Sequence, residues 1–192
     1  MESRLKVLGH PVHPMLIVFP VGLLVVAVVF DIADAVGGSW LLGEVAYWNI
    51  SAGLVGAVLA AVTGAFDLLA LPTGTRAKRV AITHALVNLG VVLLFAGVWV
   101  VRTGAEQRGA GGGLLAIEVV ALGGLVLGAW FGGELVDRLG VGVDPDAGLD
   151  ASSSLRAGRA EAAGVRRVGP RGGLARDARG PGRSDGVQGV VR

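Results

Sequence analysis

Four long apolar runs constrain this chain more than anything else in it. They extend from about Pro14 to Asp34, Val45 to Leu71, Val80 to Val101 and Leu114 to Val136. A helix needs about 20 mostly apolar residues to cross roughly 30 Å of hydrocarbon. Backbone polar groups in that medium must be bonded within the spanning element, which leaves helices or a closed barrel. Runs of this length and continuity predict helices. The expected fold is therefore an all-α bundle of four transmembrane helices, with a membrane domain over residues 1–143. Composition agrees, because 53% of the 192 residues are hydrophobic and 17% are charged, against about 25% charged in soluble domains. A competing reading takes the first run as a cleaved signal peptide, since Ala33-Asp34-Ala35 imitates an A-x-A site. The acids around that site, Pro20 within the run and its length favour an uncleaved span.

An even number of spans puts both ends of the domain on one side. Arg4 and Lys6 precede the first run, Arg76, Lys78 and Arg79 lie between the second and third, and Arg138 follows the fourth. The other side has only Arg102 and Arg108. The positive-inside rule then predicts a multi-pass protein of the cytoplasmic (inner) membrane with both termini cytoplasmic. From residue 144 onward Gly, Ala and Arg dominate, aromatic residues vanish, and nine arginines face six acids. Such a tail buries too little apolar surface to offset its ordering entropy and is expected to be disordered, with at most a short helix around Ser153 to Arg167.

The expected partner is the lipid bilayer, with other membrane or redox proteins as possible associates. No nucleic acid is expected, because the basic residues gather at the span ends and in the tail. Cysteine is absent, which excludes disulfides, thiolate metal sites and an iron-sulfur cluster held by the chain's own thiolates. Neither G-x-S-x-G nor H-E-x-x-H occurs, so no hydrolase signature is present.

Spanning helices associate through small residues that let backbones approach. Gly56, Ala60 and Gly64 recur at four-residue spacing in the second run, and Gly124, Gly128 and Gly132 in the fourth. These faces are expected to make the closest contacts, while Pro20 should kink the first helix.

Ionisable groups inside a span cost roughly 2.5 to 3.5 kcal/mol at its centre, so each needs a reason. Near the cytoplasmic end come His10 and His13, Asp67, His84 with Asn88, and Glu134 with Asp137. Asp31, Asp34, Asn49 and Glu118 lie near the other end. The inner group draws on all four spans at one depth. His84 and Asn88, four apart, share a helical face. One chemistry for this group is a haem held by His13 and His84, with Asn88 beside them. Another is a metal ion on His13, His84, Asp67 and Glu134. A third is a proton or quinone relay through the same groups. The plainer reading is a set of interhelical hydrogen bonds, worth roughly 0.6 kcal/mol each on average. On that reading Asp67 would pair with Arg76 or Lys78.

In the stretch GHPVHP each histidine precedes a proline, which biases both away from helical geometry. Spaced as in a polyproline helix they would stand roughly 9 Å apart, too far to chelate one ion together. Pro14 suits a first helical turn, which makes His13 the helix-edge residue and His10 the bystander.

The stretch LGHPVHPMLIVFPVGL, followed by Asp31, GAVLAAVTGAFDLLALP, THALVNLG and WFGGELVDRLGVGV, resembles DUF2231, a bacterial family of integral membrane proteins without an assigned activity. The resemblance covers roughly Val7 to Val143. Some of its members look like fusions to a Rieske-type iron-sulfur domain, which implies a redox setting for those members. Many show a further histidine before the Phe-Pro pair, where this chain has Val18, so any ligand set using that histidine differs here.

Two functions follow from these observations. One is a redox-associated membrane subunit with a haem, metal or quinone site at His13 and His84. The alternative is a structural or interaction protein whose polar cluster only stabilises the bundle. Against a small transporter stand the lack of an inverted repeat and of a discontinuous helix beyond the Pro20 kink.

Overall fold

The computed structural model describes residues 2–151, 153 and 154. A two-residue hairpin pairs β1 (Lys6–Val7) with β2 (His10–Pro11), antiparallel, with Lys6 opposite Pro11 and Val7 opposite His10. A short helix α1 (Val12–Leu16) follows and leads into α2 (Val18–Ala35). The remaining helices are α3 (Leu41–Ala70), α4 (Arg76–Thr103) and α5 (Gly111–Gly133), the last ending in a π-helical turn over Glu134–Arg138. Four helices are long and apolar enough to span a membrane. The expected helix near Ser153 to Arg167 and the expected disorder of the tail lie, from residue 155 on, outside the described residues.

The first span is interrupted at Ile17, between α1 and α2. Pro20 lacks the N–H that would bond the Leu16 carbonyl, and its ring crowds that carbonyl, so the break falls where the proline predicts it. His13 departs from expectation. It lies inside α1 rather than in extended geometry, and a bond from its ring to α3 supports that conformation. Glycine at positive φ closes two turns: Gly37 (φ 100) after α2 and Gly74 (φ 80) before α4. Thr75 caps α4, its hydroxyl accepting from the Lys78 N–H at 3.1 Å.

Only 17% to 28% of the most apolar window of each span is buried, so most large apolar side chains point outward. Val55, Val58, Leu59, Val62, Leu86, Leu93, Val120, Val126 and Trp130 are exposed on the outer faces, the surface a bilayer would cover. Inside, Leu24, Ala27, Val28, Ala46, Ile50, Val91, Phe95, Val98, Ala121 and Leu125 form one core. A smaller cluster of Leu71, Ala81 and Leu135 closes the end near the termini.

The bundle is built from two equivalent hairpins. Helix α2 packs mainly on α3 and α4 on α5, and lighter α3–α4 and α2–α5 contacts close the ring. In α2 the buried residues include Pro20, Leu24, Ala27 and Asp31, and in α4 they include Val91, Phe95, Val98 and Arg102, each 71 positions on. In α3 they include Ile50, Gly53, Ala57 and Ala60, and in α5 they are Glu118, Ala121, Leu125 and Gly128, each 68 positions on. The hairpins are thus related by an approximate two-fold axis along the bundle, the parallel kind of internal repeat.

Candidate functional site

The glycine faces make the close contacts expected of them, each within its own hairpin. A Cβ on Gly56 would lie 3.2 Å from Pro20 Cδ, and one on Gly64 would lie 2.9 Å from His13 Cε1. In the second hairpin a Cβ on Gly124 would meet Val91 at 2.8 Å, one on Gly128 would meet Asn88 at 2.8 Å, and one on Gly132 would meet His84 at 3.4 Å. Small residues on α3 and α5 therefore admit the polar side chains of α1 and α4.

The two histidines occupy matching settings. His13 Nδ1 lies 2.8 Å from the Ala60 carbonyl oxygen, and His84 Nδ1 lies 2.9 Å from that of Gly128. A carbonyl can only accept, so in both rings Nδ1 carries a proton, and in the neutral imidazole the lone pair is on Nε2. The ring then rests on the glycine one turn further along the same helix, Gly64 or Gly132. Asn88 donates to the His84 backbone carbonyl at 2.8 Å, with its amide 3.4 to 3.5 Å from the ring nitrogens. Thr63, bonded to the Ala60 carbonyl at 2.9 Å, stands 3.5 Å from His13 Nδ1.

The other expected members of this group are engaged elsewhere. Asp67 accepts from the Ser3 hydroxyl at 2.8 and 2.9 Å and from the Arg4 N–H at 2.8 Å. It holds the N-terminal segment and does not pair with Arg76 or Lys78. Arg76 bonds Glu134, and Lys78 donates to the Leu68 carbonyl at 2.6 Å. Among the described residues, no group of three or more His, Asp or Glu side chains is placed to hold a metal ion. Asn49 is bonded back to the Val45 carbonyl at 2.9 Å. His10 stands apart, 3.3 Å from Ser154.

A second polar centre, at the end away from the termini, has at its middle a residue the sequence reading placed in a loop. Arg102 is 0% exposed. Its Nη1 donates to Asp31 Oδ2 at 2.7 Å and to Glu118 Oε1 at 2.9 Å, and Nη2 to Asp31 Oδ1 and the Gly43 carbonyl, both at 2.8 Å. Nε donates to the Arg108 carbonyl at 2.8 Å. All five N–H groups of the guanidinium are used. The chain bends to present the last acceptor: Gln107 and Arg108 take φ of 51° and 52°, a region non-glycine residues seldom occupy. The Arg108 guanidinium lies over the Tyr47 ring at 4.2 Å. The missed signal was charge balance, since two buried carboxylates at one depth require a cation beside them.

A family model described as a predicted membrane protein, DUF2231, matches residues 9–145. No curated protein and no solved structure matches the chain.

Proposed function

Since the chain belongs to the DUF2231 family, its sites work within a lipid bilayer, and we propose that it is a redox-associated subunit in which His13 and His84 ligate one haem. The observation that supports this most is the matched setting of the two imidazoles. Each has Nδ1 tied to a carbonyl of the partner helix and each rests on a glycine, which leaves Nε2 as the ligating nitrogen, that of His84 with the Asn88 amide 3.5 Å away. Fixing Nδ1–H on a carbonyl is the usual way a ligating histidine is oriented.

Haem fits this donor set better than a lone metal ion. A porphyrin brings four nitrogens of its own, so His13 and His84 would be enough to hold the iron, whereas a bare zinc or iron site takes three or four protein ligands. Asp67 and Glu134 are occupied by Ser3, Arg4 and Arg76. When bound, the haem would supply one-electron chemistry. The chain's part is to hold the imidazoles, with Asn88 beside His84 and small residues leaving room for the rings.

An orientation with both termini in the cytoplasm is part of the proposal. The end near the termini carries Arg4, Lys6, Arg76, Lys78, Arg79 and Arg138. At the other end Arg102 is neutralised inside the bundle, so Arg108 is left as the loop's basic residue there, which sharpens the charge asymmetry.

Purification in detergent after expression with a haem precursor tests the site. The expected result is a Soret band that shifts with dithionite, stoichiometric iron, and loss of both in His13→Ala and in His84→Ala. Absence of band and iron from the parent protein overturns the proposal. The second reading, favoured by the same two interhelical bonds, is a bundle lock, and it predicts that His84→Ala lowers thermal stability without removing any bound species.

A further inference from the structure

The buried charges at the end away from the termini do not balance. Asp31 (2% exposed), Glu118 (0%) and Arg102 (0%) place two carboxyl groups against one guanidinium. Asp31 engages that guanidinium with both oxygens, whereas Glu118 uses only Oε1. Glu118 Oε2 is buried and has no hydrogen-bond partner among the described residues, and no N–H of Arg102 is left to reach it. Asp31 and Glu118 accept from the same nitrogen, Nη1. Their carboxyl groups therefore stand side by side at that nitrogen. Two carboxylates in that arrangement cannot both stay ionised with a single positive charge beside them.

Among the described residues, the surrounding helices add no second cation. Helix α2 contributes Asp34 as well as Asp31, and α3 contributes the Gly43 carbonyl, with Asp34 Oδ2 3.0 Å from where a Cβ on that glycine would lie. From the connection before α5, Arg108 offers only its carbonyl, its own guanidinium being turned onto Tyr47. Beside Asp31 lies a cleft of about 380 Å³ whose lining includes Asp31, Asp34, Ala110, Gly111 and Leu115.

We infer that Asp31 and Glu118 form a carboxyl–carboxylate pair that binds one exchangeable proton next to Arg102, reached through the cleft beside Asp31 and Asp34. The site is a proton-binding centre at the opposite end of the bundle from the histidines, and it does not depend on what they hold. The proton resides on Oε2 of Glu118, the oxygen that Arg102 does not reach, while Asp31 keeps its charge for the guanidinium.

Infrared difference spectra of the full chain in lipid nanodiscs test this. The expected result is a carbonyl stretch of a protonated carboxylic acid at neutral pH that shifts in D₂O, disappears in Glu118→Gln and persists in Asp137→Asn. No such band, or a band that Glu118→Gln leaves in place, overturns the proposal. A band that D₂O leaves unshifted overturns the exchangeability, and one that sodium abolishes makes the site a cation site instead. Should Glu118→Gln fail to fold, a carbodiimide selective for protonated carboxyls in apolar surroundings is applied to the parent protein. Label found on Glu118 by mass spectrometry supports the assignment, and its absence there overturns it.

Discussion

Asp31 and Arg102 stand 71 residues apart in sequence, at corresponding positions of the two hairpins, and meet through two parallel hydrogen bonds of 2.7 and 2.8 Å. Parallel pairing of this kind is the strong form of the arginine–carboxylate contact. It ties the first span to the third, and Glu118 and the Gly43 carbonyl bring in the other two.

Removing Arg102 leaves two carboxyl groups buried without a counter-charge. Arg102→Leu is expected to destabilise the bundle by about 3–5 kcal/mol, the usual cost of breaking a buried pair from one side. Thermal unfolding in detergent checks this. Combining it with Asp31→Asn and Glu118→Gln is expected to recover much of the loss, because no ionisable group is then left stranded in the interior.

The interior glycines are expected to divide sharply from the outer ones. Gly128→Ala sets a methyl group 2.8 Å from the Asn88 amide, and overpacking of this kind costs about 1–3 kcal/mol. Gly90 and Gly97 have nothing within 4 Å of an added Cβ. Alanine at either is expected to be neutral or mildly stabilising, by up to about 1 kcal/mol, through helix propensity. Equal melting shifts at Gly128 and Gly90 would contradict the packing described.

Much of this fold could be read from the sequence, for a physical reason. Each span must be apolar throughout because lipid faces most of it, so the runs stand out and the observed helices extend them by only a few residues, as from Val45 to Leu41. The four-residue glycine spacing likewise pointed to the correct faces, since close approach depends on size alone. Arg102 was harder. It follows Val101 at the end of an apolar run, and two residues further on would have been a loop arginine. Only the helix reaching Thr103 turns it inward. The correspondence of the hairpins was hidden for another reason: they share burial rather than letters, as Leu24 answers to Phe95 and Ile50 to Glu118. At the inner end depth was readable but partnership was not, because Asp67 pairs with Ser3 and Arg4, more than sixty residues away.

Asp67 should govern the N-terminal segment and little else. Asp67→Ala removes three acceptor contacts to Ser3 and Arg4. Faster tryptic cleavage at Arg4 and Lys6 is expected, with the melting temperature of the helices nearly unchanged. A large drop in melting temperature would show that this carboxylate supports more than the segment it holds.

The Arg76–Glu134 bridge is expected to contribute little. Arg76 is more than half exposed, and pairs of this kind contribute about 0–1 kcal/mol. Arg76→Ala should therefore melt within that margin of the parent protein, and the small difference should shrink further in salt.

The pairing of Asp31 with Arg102 also says why the two hairpins must differ. Had the bundle been assembled from two copies of one hairpin, the residue meeting its own equivalent across the axis would be aspartate facing aspartate or arginine facing arginine, each repelling its twin in a dry interior. Complementarity at that point requires unequal halves. Joining them in one polypeptide guarantees that every bundle receives one of each.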